Sequence, residues 1–219
     1  MFYNYKGTFS IILMAIVDAD YKFLYANVGP YGSVGDAGAV QNCAFNYNLQ
    51  YNKLNIPKPE LLQDANITVP YMLVGDDAFP LRNYLMKPIH KRNLNNEETI
   101  FNYRISRARR VVENAFGILA NRFRVYRTAI QLKPSTVKSI VLATISMHNM
   151  LRVKTRSMTC EEETSERVNF RELVTLRQFS SVRKSGKLNE SGKEIREEWM
   201  KYFMNEGRVE WQDQITGLQ

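Results

Sequence analysis

Cysteine and histidine are scarce in this chain of 219 residues, which contains two of each. Cys43 and Cys160 lie far apart, as do His90 and His148, and none has a neighbour at the spacing of a zinc site. Two distant cysteines also provide no disulfide framework, so the sequence is typical of a reducing compartment. We expect His148, on the apolar face of a predicted helix, to be a hydrogen-bonded core residue rather than a ligand.

Long apolar runs and phosphate-binding glycine loops are also missing. The longest apolar run, residues 11–17, is too short to cross a bilayer and lacks the basic flank of a signal peptide. The glycine-rich GPYGSVG at residues 29–35 has neither GxGxxG nor GxxxxGK[ST] spacing, which indicates a turn. We therefore predict an intracellular protein with no membrane partner.

Basic residues are in excess, and the excess is local. The chain has 30 Lys and Arg against 22 Asp and Glu, a formal net charge of +8. Residues 82–129 contain eleven basic and three acidic residues, so this segment holds the entire surplus. Such a concentration is the footprint of a partner with a phosphate backbone.

The hydrophobic pattern predicts an α/β domain with a mixed sheet. We assign this domain to residues 1–153, followed by a flexible polar linker at 154–188 and a helical tail at 189–219. In the tail, Ile195, Trp199 and Phe203 recur at helical spacing. The predicted order is strand, strand, helix, strand, helix, helix, at residues 9–17, 23–28, 36–48, 71–74, 101–128 and 134–153.

The most distinctive stretch is the helix predicted at residues 101–128, which carries seven arginines and one acid, Glu113. Its apolar residues, including Phe101, Ile105, Ala108 and Val112, recur at steps of three and four and predict one buried face. Glu113 has two interpretations. It forms an exposed ion pair with an arginine one turn away, or it binds a cation beside a polyanion.

A second acidic position follows the short strand at residues 71–74, where Asp76 and Asp77 either cap a turn or present a ligand. If the arginine helix packs on the sheet, Asp76 and Glu113 can converge. Carboxylates suit Mg²⁺ or Mn²⁺, ions that promote phosphodiester cleavage. The neighbouring basic residues would hold the DNA backbone. They are Lys91, Arg92, Arg107, Arg109, Arg110 and Arg122.

Several segments, in this order and spacing, resemble the PIF/Harbinger-type DDE transposases and the nucleases derived from them. They are YNYKGTFSIILMAIVDADYKF, VGDDAFPL, FNYRISRARRVVENAFGILANRF, MHNML and GRVEWQ, at residues 3–23, 74–81, 101–123, 147–151 and 207–212. The resemblance implies an RNase H-like mixed sheet flanked by helices and a nuclear, DNA-cutting enzyme that uses a divalent metal. It also implies that Asp76 and Glu113 are the family's second and third metal-binding acids.

One part of the family pattern has no counterpart. The family's first catalytic aspartate lies on a central strand directly before the segment matched at residue 3, so we expect that strand and its acid to be missing here. Asp36 is a weak substitute because it would lie near the edge of the sheet. Three interpretations remain open: a nuclease whose sequence continues upstream, a catalytically dead module that binds DNA or a partner protein, and a transposon remnant without a stable fold.

Overall fold

A computed structural model of the chain describes residues 9–31, 43–51, 53–54, 56–62, 67–77, 79–158 and 190–212. Within these ranges the chain forms three two-stranded sheets and four α-helices, which confirms the predicted α/β class. No helix in these ranges is both long and apolar enough to cross a bilayer. The chain divides into two compact units: Met1–Cys43 with Arg110–Phe179, and Ala44–Arg109 with Ser180–Gln219.

The first unit contains an antiparallel hairpin of β1 (Ile11–Val17) and β2 (Phe23–Tyr31), as predicted. β2 continues past the expected end, and Gly29 adopts a φ of 141° inside it, a conformation that favours glycine. An uninterrupted apolar run such as residues 9–17 predicts a strand buried on both faces, and for β1 that prediction is wrong. All seven of its residues are half-buried, and among the described strands β1 pairs with β2 alone.

The turn between β1 and β2 is organised by Asp18. Its Oδ1 accepts hydrogen bonds from the backbone N–H groups of Asp20 and Lys22, both at 2.9 Å. Lys22 also forms an ion pair with the same carboxylate at 3.3 Å. These bonds hold Tyr21 at a φ of 63°, an uncommon value for a residue with a side chain.

The core of the first unit forms where helix α3 (Pro134–Met158) and the end of the arginine helix cover the hairpin. α3 begins at the predicted Pro134 and runs five residues beyond the expected end at 153, so residues 154–158 of the predicted linker are helical. The rest of that linker lies outside the described residues, as does Asp36. The buried core residues are Phe23, Val28, Ala115, Leu119, Val141 and Ile145.

The second unit combines short strands with the tail. It contains α1 (Ala44–Gln50), the antiparallel pair β3 (Glu60–Leu61) and β4 (Thr68–Val69), and the parallel pair β5 (Leu73–Val74) and β6 (Leu85–Met86). Residues 54–70, which contain three prolines and no regular period, are predicted from sequence to form a connecting loop. They include a strand pair, which is too short to show a hydrophobic period. The predicted tail helix is confirmed as α4 (Glu190–Met204). Its Ile195, Trp199 and Phe203 pack in a core with Leu81, Met86, Ile100, Phe101 and Ile105.

The arginine helix is α2 (Asn96–Arg122), and the boundary between the two units falls within it. A capping box explains its start, because Asn95 Oδ1 accepts from the Glu98 N–H and Glu98 Oε2 accepts from the Asn95 N–H. The helix ends earlier than predicted and is followed by a 3₁₀ turn, Arg124–Arg127. The expected continuous buried face is wrong at Ala108, which is exposed, so the helix is buried near its two ends instead.

Candidate functional site

Asp76 lies on a turn that the sheet holds in place. It follows β5, and the N–H of Gly75 donates to Met86 O at 2.9 Å, which extends the parallel pairing by one bond. The N–H of Phe79 then donates to Asp76 O at 3.2 Å, closing the turn. A Cβ on Gly75 would lie 2.8 Å from the Phe79 ring, so the backbone before Asp76 requires glycine. The backbone of Asp76, a half-buried residue, thus has a defined position.

Asp77 has a structural role. Its carboxylate forms an ion pair with Lys87 Nζ at 3.2 Å and lies 3.5 Å from His90 Nδ1. Lys87 Nζ also donates to Asp77 O at 3.0 Å. These contacts hold the segment after β6 against the turn. Asp77 is therefore the aspartate that binds Lys87, and Asp76 is the one matched to the family's acid.

Glu113 lies on the exposed surface of α2, four residues before the buried Gly117. It belongs to the first unit, whereas Asp76 belongs to the second. The convergence of the two carboxylates therefore stays a prediction.

Carboxylate oxygens are the donors that Mg²⁺ and Mn²⁺ prefer, so the chemistry of Asp76 and Glu113 fits the implied metal. Two carboxylates alone do not complete a binding site for a divalent metal ion. Within the described ranges, no three Asp, Glu, His or Cys residues come together closely enough to hold an ion. A full ligand set therefore needs at least one group beyond these two.

The six basic residues predicted to contact DNA differ in their surroundings. Lys91 forms an ion pair with Glu98. The hydrogen bonds that the Lys91 ammonium and the Asn95 N–H donate to the Glu98 carboxylate lower the pKa of that carboxyl group. Arg107 is exposed, but its guanidinium stacks on the Trp211 ring, 4.3 Å from the centroid. Arg109 is half-buried, and the remaining three are exposed: Arg92, Arg110 and Arg122.

Arg104, one of the seven arginines of the helix segment, turns toward the C-terminal residues. Its guanidinium donates to Gly207 O at 3.2 Å and to Gln212 Oε1 at 3.1 Å, and it lies over the Phe203 ring. Gln212 is fully buried and donates in turn to Phe203 O at 2.9 Å. Burial lowers the pKa of Arg104 from its usual value. Sequence analysis had not identified this role, although the matched GRVEWQ segment contains the partners.

The MHNML segment of α3 forms hydrogen bonds to the backbone at the β1–β2 turn. His148, fully buried, bonds Tyr21 O through Nε2 at 2.8 Å, which confirms its predicted place in the core. Asn149 accepts from the Phe23 N–H and donates to Phe23 O, at 2.8 and 2.9 Å. One turn later, Arg152 donates to Asp20 O at 3.0 Å. These motif residues position a hairpin rather than reacting atoms.

Comparison with known proteins decides the family. A family model described as DDE superfamily endonuclease matches residues 1–149. The chain belongs to this family. The match begins before β1, ends within the MHNML segment and includes both predicted metal-binding acids, so the resemblance inferred from the sequence motifs is confirmed.

Two curated relatives of this DDE superfamily chain support the same conclusion. It is 27% identical over 147 residues to a protein named Protein ALP1-like from Arabidopsis thaliana, covering 67% of this chain and 36% of the relative. It is 26% identical over 154 residues to Putative nuclease HARBI1 from Homo sapiens, covering 67% of this chain and 39% of the relative. The chain thus spans less than two fifths of these relatives' lengths. No solved structure matches it significantly.

Proposed function

We propose that this chain is part of a divalent-metal-dependent endonuclease that cleaves phosphodiester bonds in DNA, with an RNase H-like fold and an additional central strand. The observation that carries the proposal is the DDE superfamily match across residues 1–149, which includes Asp76 on a fixed turn and Glu113 on an exposed helix face. Asp76 and Glu113 act as metal ligands. When bound, Mg²⁺ or Mn²⁺ would activate the attacking oxygen and stabilise the leaving one.

The protein's own contribution to DNA binding is electrostatic. Arg92, Arg110 and Arg122 are exposed and can contact phosphates without losing a described partner. Lys91, which pairs with Glu98, and Arg107, which lies over Trp211, also add positive charge to the DNA-binding surface. Arg109 adds its charge from a half-buried position. We place this activity in the nucleus, where the DNA is, and a separate DNA-binding protein is a further proposed partner.

Two carboxylates are fewer than a DDE-type reaction needs, so we propose weak or no cleavage by the 219 residues alone. A second candidate function follows from the same observation: a DNA- or protein-binding module without catalysis. It is favoured by the lack of a three-ligand cluster among the described residues, combined with arginines that stay exposed.

The test compares neighbouring acids in a chain extended upstream to the length of the relatives. We expect nicking of supercoiled plasmid only with Mg²⁺ or Mn²⁺, and a loss of about a hundredfold or more in Asp76→Ala and in Glu113→Gln. Asp77→Ala is the matched control, because that carboxylate pairs with Lys87, lies near His90 and should be dispensable for cleavage.

Each outcome separates the two candidates. Undiminished nicking by Asp76→Ala or Glu113→Gln would refute the ligand assignment. An extended chain that binds DNA in a salt-dependent way but never nicks it would support the binding module instead. Circular dichroism of each variant shows whether it remains folded.

A further inference from the structure

The C-terminal segment after α4 brings one aromatic ring, that of Trp211, against the first half of α2. The indole lies edge-to-face with the Tyr103 ring, their centroids 5.8 Å apart. The guanidinium carbons of Arg107 and Arg104 lie 4.3 and 5.5 Å from the centroid of the same indole. Tyr103 and Arg107 are one helical turn apart, so they meet the ring from one face of the helix. A single ring within one compact unit therefore contacts two cations.

The backbone on both sides of Trp211 is fixed by bonds that do not involve the indole. The Gly207 N–H donates to Tyr202 O at 2.8 Å, and the side-chain amide of the buried Gln212 donates to Phe203 O at 2.9 Å. A Cβ on Gly207 would overlap the Tyr202 ring, so the turn that leads into this segment requires glycine. The position of the indole therefore does not depend on its contact with the arginines.

The two arginines on this ring differ in what their N–H groups bind. Arg104 donates to Gly207 O at 3.2 Å and to Gln212 Oε1 at 3.1 Å. Arg107 is exposed and forms no hydrogen bond or ion pair with the residues that the structure describes. Stacking uses the face of a guanidinium, whereas its N–H donors point outward in the plane of the group. The ring therefore orients Arg107 and leaves its donors available to a ligand.

The charges at this ring favour an anionic ligand. Within the described part of the chain, neither guanidinium forms an ion pair with a carboxylate. Burial, and to a lesser extent the charge of Arg107, lowers the pKa of Arg104. A phosphodiester group would offset this repulsion, and its two unesterified oxygens match the paired donors at the edge of a guanidinium. Phosphate is therefore the ligand chemistry that Arg107 fits.

We propose that Trp211 is a positioning residue for DNA binding, because its ring holds the Arg107 guanidinium in the orientation in which it donates to a backbone phosphate. The inference rests on the DNA binding in the proposed function, but not on the metal ligands. A side chain that is already oriented loses less conformational entropy on binding. The C-terminal segment is thus part of the DNA-binding surface, although the family match ends at residue 149.

Fluorescence anisotropy of the full chain with a labelled DNA duplex tests the role of the ring. Trp211→Leu keeps an apolar side chain beside Tyr103 but has no flat face, so it should weaken binding about two- to fivefold. Trp211→Phe retains a ring and should restore most of the affinity. Circular dichroism shows whether each variant remains folded. Tighter binding by Trp211→Leu would mean that the ring shields Arg107 from DNA, and it would overturn the proposal.

Double variants show whether Trp211 acts through Arg107. In an Arg107→Ala background, Trp211→Leu should have no further effect on affinity, because the side chain that the ring orients is gone. Arg110→Ala is the matched background, since Arg110 is also exposed but is not among the described residues that stack on this ring. There Trp211→Leu should still weaken binding about two- to fivefold. Equal losses in the two backgrounds would make Trp211 a structural residue only.

Two lysine variants test the same idea while Trp211 stays in place. Arg107→Lys and Arg110→Lys both keep the positive charge, but only the first removes a planar group that is stacked on a ring. We therefore expect Arg107→Lys to weaken duplex binding more than Arg110→Lys does. Equal effects of the two substitutions would contradict the positioning role.

The native chain, measured in the same assay, separates this inference from the proposed function. We expect its duplex affinity to fall as NaCl is added, because phosphate contacts release counterions. An affinity that does not depend on salt would refute the proposed DNA surface and the role of Trp211 with it. Salt-dependent binding that Trp211→Leu leaves unchanged would refute the role of Trp211 alone.

Discussion

The two halves of α2 use the same residue type for different purposes. In the first half, Arg104 is directed inward and bonds Gly207 and Gln212 of the C-terminal segment. In the second half, Arg110 and Arg122 remain exposed. Arg107 is intermediate, since it is exposed but stacked on Trp211. The number of arginines along a helix is therefore not the number of residues available to bind DNA.

The difference arises from what covers each half. The C-terminal residues supply carbonyl and amide oxygens where Arg104 lies, and the Phe203 ring covers its guanidinium. A guanidinium tolerates such burial because its planar donors can bond two acceptors at once. The second half meets the apolar hairpin core through Ala115 and Leu119. This packing leaves Arg110 on the opposite side of the helix, and Arg122 is exposed at its last residue.

The largest expected stability effect separates these arginines. Arg104→Ala should lower the free energy of unfolding by about 2–3 kcal/mol, because it leaves Gly207 O and the buried Gln212 Oε1 without their donor. Arg110→Ala should change it by less than about 0.5 kcal/mol. Urea unfolding followed by circular dichroism measures both, and similar values would contradict the division of roles.

A second prediction compares the two asparagines that clamp backbone. Asn102 accepts from the Ile89 N–H at 2.7 Å and donates to Ile89 O at 2.8 Å, and Asn149 makes the same pair of bonds to Phe23. Replacing either by Ala should cost about 2 kcal/mol in urea unfolding. Asn→Asp at the same positions keeps the acceptor but loses the donor, so at neutral pH it should also be destabilising. If Asn149→Asp left the free energy of unfolding unchanged, the hydrogen bond that Asn149 donates would contribute nothing to stability.

Local features of this fold could be predicted from sequence, and distant pairings could not. The hairpin strands and the amphipathic tail helix each depend on neighbouring residues and are confirmed. For the start of α2 the sequence offers Asn95 or Asn96 as the cap, and Asn95 is the residue that forms it. The role of Arg104 depends on partners 103 and 108 positions away, which no periodicity reveals. The helical period predicts that Ala108 is buried, but Ala108 is exposed. The period does not show where one hydrophobic core ends and another begins.

The candidate site shows the same limit. The spacing of the motifs identified the family, and with it Asp76 and Glu113 as candidate ligands. It did not show that Asp77 pairs with Lys87 ten positions later, which makes one of two adjacent acids structural.

A third prediction uses DNA binding to sharpen the comparison along α2, and it rests on the proposed function. Arg110→Ala and Arg122→Ala should each reduce the slope of log affinity against log salt by about 1, because each removes one phosphate contact. Arg104→Lys, which keeps the charge in the inward position, should leave the slope unchanged. Fluorescence anisotropy with a labelled duplex across a NaCl series measures this. Equal slopes for all variants would exclude the exposed arginines as the contacts.

The smallest expected effect concerns His148. Burial, with Arg122 and Arg152 nearby, holds the pKa of its imidazole below the usual value, and the hydrogen bond to Tyr21 O requires a proton on Nε2. Its Nδ1 is buried and has no hydrogen-bond partner among the residues that the structure describes, so a second proton there would lack an acceptor in this part of the chain. The unfolded chain binds that proton more readily than the folded one, and stability should therefore fall as pH drops below about 6.5.

Comparison with His148→Gln, which does not titrate, isolates this contribution. The stability advantage of the native chain should shrink between about pH 7.5 and 5, by no more than about 1 kcal/mol. An advantage that stays constant over this range would mean that His148 takes up its proton in the folded chain as easily as in the unfolded one.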